Sequence, residues 1–329
     1  MKRTAHVFEV IALISVLAIT GLAILTRYYG WSIHLELLSH FQAQYFLAAL
    51  LLTILTLRLR YSVTVLVALF CTALLSAQIV PWYVSSPLTH PDANYRVLVA
   101  NINKHTFDAS RVLDVVAQEK PDLAFLIEVN SETAQQLQVL SQDLPYAVQE
   151  PIAPDFDLAL YSRYPLQDIE IIHFGNKNNK QSLVAHVTVA GRPLTLVGTH
   201  PSSPTDKKMF RARNTVLADV GDYIQKETEP VVLMGDFNTT MWSPYYRTMV
   251  RKTQLKNTRE GFGIRPTWPR MASRYGWPGW VQTLTTPLQI PIDHCLVSPQ
   301  IAVAGIHTGG DTGSDHAPIV VDLAVQPQA

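Results

Sequence analysis

Residues 231–238 read Val-Val-Leu-Met-Gly-Asp-Phe-Asn, an apolar run of strand character closed by an Asp and an Asn two positions apart. Successive strand side chains point to opposite faces, so Asp236 and Asn238 would present their polar groups on one side at the downstream end of a buried strand. The same pattern recurs along the chain. Residues 96–103 (Arg-Val-Leu-Val-Ala-Asn-Ile-Asn) end in Asn101 and Asn103, residues 122–128 (Asp-Leu-Ala-Phe-Leu-Ile-Glu) in Glu128, and residues 194–200 (Leu-Thr-Leu-Val-Gly-Thr-His) in His200. Residues 292–297 (Ile-Asp-His-Cys-Leu-Val) open with Asp293, and residues 313–318 (Gly-Ser-Asp-His-Ala-Pro) set Asp315 and His316 just before the last apolar run.

Around these runs, strands are predicted over 96–103, 122–129, 157–162, 182–189, 194–199, 231–235, 292–297 and 318–323, several bounded by Gly, Pro or Asn. Helices are predicted over 108–119, 131–140, 207–227 and 245–252. Mixed strands and helices in one segment imply a layered α/β or α+β domain. Residues 255–285, rich in Gly, Pro and Trp, carry no regular period and are expected to form a long ordered loop over a site.

If the strand ends converge, they assemble hard oxygen ligands with two histidines and two amides, a set that suits Mg²⁺ or Mn²⁺ rather than zinc. A cation held there can polarise a phosphoryl oxygen and activate water. The two cysteines, Cys71 and Cys295, fall in different segments and can build neither a disulfide framework nor a zinc site. Taken singly, Asn and Asp at strand ends are turn formers and Glu128 could cap a helix; the weight rests on the set. His105, Lys177 and Lys180 could touch a phosphate, but the last two lie in an Asn-rich run that reads as a hairpin turn. Lys207, Lys208, Arg211 and Arg213 read as the solvated face of a helix. Thr267-Trp268-Pro269 could reach a substrate from the long loop, and Trp268, Trp277 and Trp280 could meet its apolar part.

Asn101, Glu128, the Gly-Asp-Phe-Asn run at 235–238, Asp293 and the Ser-Asp-His-Ala-Pro run at 314–318 resemble the ordered motifs of the endonuclease/exonuclease/phosphatase superfamily, which includes DNase I, exonuclease III and neutral sphingomyelinases. The resemblance covers residues 95–323. It implies an α+β fold, a four-layer sandwich of two mixed β-sheets flanked by helices. It also implies divalent-metal-dependent hydrolysis of a phosphodiester (or phosphomonoester) in which Glu128, helped by Asp315 and Asn101, binds Mg²⁺ or Mn²⁺. Asp236 and Asn238 would position and activate the attacking water, Asp293 would orient His316, and His200 would contact the phosphate or the leaving oxygen. The resemblance leaves the general base open between Asp236 and His316, with the Asp293-oriented His316 slightly preferred.

The first 86 residues are of another kind. Three apolar runs, at 10–26, 37–57 and 61–86, contain no Lys, Arg, Asp or Glu, and each is near or above the ~17–20 residues a transmembrane helix needs. The organisation expected is a membrane domain of three transmembrane helices (1–86), a Pro-rich linker (87–94) and a catalytic domain (95–329). Lys2 and Arg3 precede the first run, and Arg58 and Arg60 separate the second from the third; both groups belong on the cytoplasmic side. The protein is therefore expected in a bacterial inner membrane, with its catalytic domain on the extracytoplasmic, periplasmic side. Of the 26 basic and 26 acidic residues, five basic and two acidic precede His90, which leaves 21 basic against 24 acidic downstream. A weakly acidic domain lacks the broad basic footprint of an avid nucleic-acid binder. The partners expected are the bilayer and a phosphodiester substrate, either a lipid headgroup or a nucleic acid, with no protein partner. The alternatives are a membrane-tethered nuclease and, from another class, a catalytically silent binding or scaffolding module.

Overall fold

The computed structural model describes residues 2–59, 62–84, 92–106, 108–148, 157–175, 180–270, 273 and 275–327. Most of the linker expected at 87–94, Arg60 and Lys177 lie outside them.

Two six-stranded sheets face each other across the largest apolar core. The first runs β11 (Ala302–Thr308), β12 (Ile319–Ala324), β1 (Tyr95–Asn101), β2 (Leu123–Ile127), β4 (Leu158–Ser162) and β3 (Tyr146–Val148). The second runs β5 (Leu166–Ile172), β6 (Ser182–Val189), β7 (Arg192–Thr199), β8 (Val231–Asp236), β10 (Asp293–Val297) and β9 (Lys256–Asn257). The period of two sorts the side chains. Val97, Val99, Phe125 and Ile127 enter the space between the sheets, where they meet Leu183, Leu196, Met234 and Cys295. The alternate residues Leu98, Ala100 and Leu126 face α5 (Ser110–Glu119) and α6 (Ser131–Leu137), while Val184, Val197 and Leu233 face α7 (Lys207–Ile224) and α8 (Pro244–Thr253). The result is the expected four-layer sandwich of two mixed sheets between helices.

Four elements escape the sequence pattern. β5 is an exposed edge strand whose alternation is broken by an irregularity between Gln167 and Glu170. β11 carries a similar shift between Val303 and Gly305. β3 and β9 are three and two residues long, too short to show a period. The long loop is also less irregular than expected, since it contains β9 and a short helix, α9 (Gly279–Thr285).

Three helices long and apolar enough to cross a membrane precede the sandwich, spanning His6–Tyr29, Gln42–Leu59 and Val63–Trp82. They belong to α1 (Lys2–Tyr29), α3 (Gln42–Leu59) and α4 (Ser62–Ile79) with its following turn. Ala23, Ala49 and Ala68 are fully buried where these helices meet, and small residues at such positions let backbones approach closely. Leu51, Leu66 and Phe70 point outward, which is compatible with lipid contact. The second apolar run starts later than its composition suggests. Leu37 and Leu38 belong instead to α2 (Ile33–Ser39), a short helix in the connection between α1 and α3.

That connection docks on the sandwich. The Tyr245 hydroxyl donates to the Trp31 carbonyl at 2.7 Å, Arg247 donates to the Arg27 carbonyl at 3.1 Å, and Gly263 N–H donates to the Trp82 carbonyl at 2.7 Å. The ends of α1 and α4 therefore abut the sandwich at one pole of the helical bundle, with Arg58 at the other.

Candidate active site

Sheet topology explains why polar residues far apart in sequence meet. β1 and β2 are parallel neighbours, as are β7 and β8, so Asn101, Glu128, His200 and Asp236 emerge at the same ends of their sheets. β10 runs antiparallel to β8 with Asp293 paired to Asp236, which brings the first residue of one strand beside the last of the other. β12 is antiparallel to β1, pairing Ile319 with Val99, so the preceding Asp315 and His316 arrive next to Asn101.

Backbone conformation then aims the side chains. Asn103, Glu128 and Asn238 all sit in the left-handed region, at φ of 62°, 61° and 50°, sparsely populated for non-glycine residues. Each follows the end of a strand, so the expected two-residue alternation is broken there. Glu128 is not a helix cap: Asn130 takes that position on α6 and accepts the N–H groups of Glu132 and Thr133. Gly235 is required, because a Cβ on it would lie 1.8 Å from the Thr199 carbonyl oxygen.

The Asn101 amide nitrogen lies 3.2 Å from both Glu128 Oε1 and Asp236 Oδ2, holding the two carboxylates on either side of one group. Its oxygen accepts the Asn103 N–H at 3.0 Å, so in this orientation Asn101 organises the anionic oxygens rather than adding one. Lys104 N–H donates to Glu128 Oε2 at 3.1 Å. Asp315 accepts from Asn103 Nδ2 at 2.8 Å and from Trp268 Nε1 at 3.2 Å. Glu128, His200, Asp236, Asn238, Asp315 and His316 line one cleft of about 610 Å³, together with Lys104, Lys180 and Trp268. Leu37 and His40, from α2 and the residue that follows it, complete its wall.

His316 Nδ1 stands 2.9 Å from Asp293 Oδ2, and its Nε2 3.8 Å from Asp236 Oδ2. Burial by itself would lower the His316 imidazolium, but Asp293 and Asp236 outweigh it and push it up to about 10. Burial works against ionised Asp293 too, yet His316 beside it holds that carboxyl below its ordinary value. Asp236 goes the other way: burial, then the Asp293 charge, pushes it up. The two carboxylates thus favour the charged form of His316, and burial with the Asp293 charge makes Asp236 the more basic of the two carboxylates. Thr267 Oγ1 accepts the Ile292 and Asp293 N–H groups at 3.2 and 3.3 Å, which fixes Thr267 as a support of β10.

On the other side of the cleft His200 Nε2 lies 3.7 Å from Glu128 Oε1 and 3.9 Å from Asp236 Oδ2. Lys180 Nζ is 2.8 Å from His200 Nδ1 and donates to Asp157 at 2.9 Å. His200 Nδ1 also stands 3.3 Å from Asp157 Oδ2, so Lys180 and Asp157 together hold that nitrogen and leave Nε2 as the one facing the carboxylates. Lys180, which the sequence places in a hairpin turn, therefore belongs to the cleft, and Asp157 joins it behind His200. Asp157 carries the same signal as Asp293, an acid opening an apolar strand. Burial would raise Glu128, but His200, the Lys104 N–H and Asn101 hold it below the ordinary carboxylate range.

One expectation fails outright. Arg213 is not part of a solvated face: it is fully buried, and its Nη2 lies 3.0 Å from Glu36 Oε1 of α2. A buried guanidinium needs such a partner, and this partner comes from the connection between α1 and α3. Trp277 and Trp280 stand exposed near α9 and do not line the cleft.

The donor set fits a hard divalent cation. Glu128, Asp236 and Asp315 bring anionic oxygens to one cleft, with one amide nitrogen between the first two. Asp236, Asp293 and His316 also place ligand atoms within 4.8 Å of one another. Asp293 is fully buried behind His316 and spent on it, however, so this trio is a histidine clamped between carboxylates rather than a cation cage.

Comparison with known proteins agrees with this fold. The model of the Endonuclease/Exonuclease/phosphatase family matches residues 98–316. No curated protein matches the chain. Among solved structures, an endonuclease/exonuclease/phosphatase from Beutenbergia cavernae is 21% identical with a TM-score of 0.56, over 71% of this chain and 72% of that one. D. rerio TDP2 complexed with single strand DNA product is 18% identical with a TM-score of 0.55, over 71% of this chain and 100% of that one. A Staphylococcus aureus beta toxin mutant with bound magnesium ions is 14% identical with a TM-score of 0.52, over 70% of this chain and 99% of that one. At these identities the likeness is one of fold.

Proposed function

This chain belongs to the endonuclease/exonuclease/phosphatase family, and on that premise we propose that it is a membrane-anchored hydrolase of a phosphodiester held at the bilayer surface, dependent on Mg²⁺ or Mn²⁺. What carries the reading is the meeting of Glu128, Asp236, Asp315, His200 and His316 in a cleft whose wall is completed by Leu37 and His40, at the pole where the apolar helices abut the sandwich.

Glu128 and Asp315 would hold the cation, with Asn101 spacing Glu128 from Asp236. The cation, when bound, supplies charge against the phosphoryl oxygens. Asp236 takes a proton from the attacking water, and Asn238, lining the cleft beside it, orients that water. As the new oxygen–phosphorus bond forms and the ester bond breaks, the His316 cation, kept charged by Asp293, faces the growing negative charge. His200, held at Nδ1 by Lys180 and Asp157 with Nε2 aimed into the cleft, faces the leaving oxygen.

Two observations support a membrane-held substrate. Gln44, in the first turn of α3, donates to the carbonyls of Pro287 and Gln289 at 2.9 and 3.2 Å. This ties the segment bearing exposed Trp277, Trp280, Leu284 and Leu288 to the head of an apolar helix, where Trp and Leu suit the interface. The acidic excess of the soluble part also disfavours tracking a polyanion. The gathering of Lys2, Arg3 and Arg58 at the pole away from the sandwich supports an extracytoplasmic cleft, on the periplasmic side of a bacterial inner membrane.

The test is hydrolysis by the full chain in lipid nanodiscs with Mg²⁺. Phospholipid headgroup diesters should be turned over with higher kcat/KM than duplex DNA at physiological salt. Faster turnover of DNA would replace this reading with that of a tethered nuclease.

A further inference from the structure

The buried ion pair between α2 and α7 lies next to the turn that carries Asp236 and Asn238, and that turn is held by a set of named hydrogen bonds. Asn238 N–H donates back to Asp236 Oδ1 at 2.8 Å, and the Asn238 side chain donates to the Pro201 carbonyl at 3.1 Å. The Asn238 carbonyl accepts from Arg213 Nη1 at 2.7 Å. The next carbonyl, of Thr239, accepts from His294 Nε2 at 2.8 Å, and the Thr239 hydroxyl donates to Glu36 Oε1 at 2.9 Å. Thr240 pairs with His40 Nδ1 at 3.0 Å, while His40 Nε2 stands 3.4 Å from Glu36 Oε2.

Glu36 is therefore the hub. It is fully buried, it is the counter-charge of Arg213, and it accepts from Thr239. Desolvation opposes its ionisation, but His40 and Arg213 override this and keep it charged. A buried guanidinium without its carboxylate would turn towards whatever acceptor or water it could reach. The nearest consequence is loss of the donor that holds Asn238 at its left-handed φ of 50°.

We propose that Glu36 is a positioning residue of the active site, acting through Arg213 and Thr239 to fix the Asp236–Asn238 turn, so that the connection between the first two apolar helices is part of the catalytic unit. The proposal rests on the functional reading above for the role of Asp236 and Asn238. It gives the membrane segment work beyond anchoring, because a sandwich severed from residues 30–44 would lack the Arg213 counter-ion and the Leu37 and His40 wall of the cleft. It also makes the cleft responsive to how α1 and α3 sit: any shift of α2 reaches Asn238 through two side chains.

The test uses the full chain in nanodiscs, with a small aryl phosphodiester and Mg²⁺. Glu36→Ala should lower kcat at least tenfold while KM changes less than threefold, since the small substrate does not need the α2 wall. Because that variant leaves Arg213 uncompensated and could unfold, Glu36→Gln combined with Arg213→Met removes both charges at similar volume. This double variant should melt close to the parent yet keep the low kcat, because the Asn238 carbonyl still lacks its donor. Hydrogen exchange over residues 236–240 should rise in both. A folded double variant with parental kcat and parental exchange over that turn would overturn the proposal. Should the parent hydrolyse no phosphodiester at all, the functional reading falls, and the exchange measurement alone decides whether Glu36 positions the turn.

Discussion

Replacing Gly235 with alanine tests how closely the strands that carry His200 and Asp236 must approach. Gly235 sits in β8 at φ 151°, and an added Cβ would lie 1.8 Å from the Thr199 carbonyl oxygen and 2.9 Å from its carbon. Both are backbone atoms, so no side chain can swing away, and relief requires β7 and β8 to separate. Overpacking a tight interior costs about 1–3 kcal/mol. An alanine held in this backbone region adds about 1–3 kcal/mol more. Each kcal/mol lowers the melting temperature of a domain of this size by about 2–4 °C, so the variant should melt roughly 5–20 °C below the parent in detergent. Turnover should suffer beyond stability, because the 3.9 Å approach of His200 to Asp236 spans this contact. A misplacement of about 1 Å can cost about 10²-fold in rate. Differential scanning fluorimetry and kcat measured well below the melting point read the two effects separately. Gly279→Ala, with nothing within 4 Å of its Cβ, is the control and should change neither. A Gly235→Ala chain that melts within about 2 °C of the parent and keeps its kcat would refute the reasoning.

Other outcomes follow from the same geometry. Asp293→Ala combined with His316→Ala should cost little more than His316→Ala alone, since the two act as a unit; multiplying losses in a double-mutant cycle would show that Asp293 does not work through His316. Glu36 is held down at about 2 from an ordinary 4.5, by His40 and Arg213 against its desolvation. A depressed carboxyl stabilises the fold fully above its unfolded value, and that contribution, of order 3 kcal/mol, is lost as pH falls from about 4.5 towards 2. Melting temperature should therefore drop more steeply below pH 4.5 in the parent than in Glu36→Gln; parallel curves would contradict this. A periplasm-active reporter fused after Ala329 should be active, and cytoplasmic activity of that fusion would reverse the proposed orientation.

The site was legible in the sequence wherever a polar residue closes or opens an apolar strand, because parallel neighbours bring their ends together and antiparallel neighbours bring the start of one strand beside the end of the other. Asn101, Glu128, His200, Asp236, Asp293, Asp315 and His316 all carry that mark. Asp157 carries it too, but its partner Lys180 lies in a turn-like run, and only the folded chain places that amine against His200. Arg213 was hidden by its neighbours. Three other cations on α7 make it read as one charged surface, whereas the helical period turns Arg213 to the buried side with Phe210, Val216 and Leu217. Glu36 could not be read at all, since a lone acid in a connection between apolar helices signals an interface until a buried guanidinium is known to await it. The edge strands β5 and β11 escaped for a simpler reason: irregularities break the period of two in both, and neither alternates cleanly between buried and exposed positions.

The proposed metal requirement rests on Glu128 and its neighbours, which would hold the divalent cation needed for phosphodiester hydrolysis. Its most direct test is a Mg²⁺ titration of hydrolysis of an aryl phosphodiester by the full chain after chelator treatment, compared between the parent and Glu128→Gln. Turnover should be absent without metal and restored by Mg²⁺ or Mn²⁺, and the variant should need far more Mg²⁺ for a lower maximal rate. Full hydrolysis by the chelator-treated parent, or an unchanged Mg²⁺ requirement in Glu128→Gln, would contradict it.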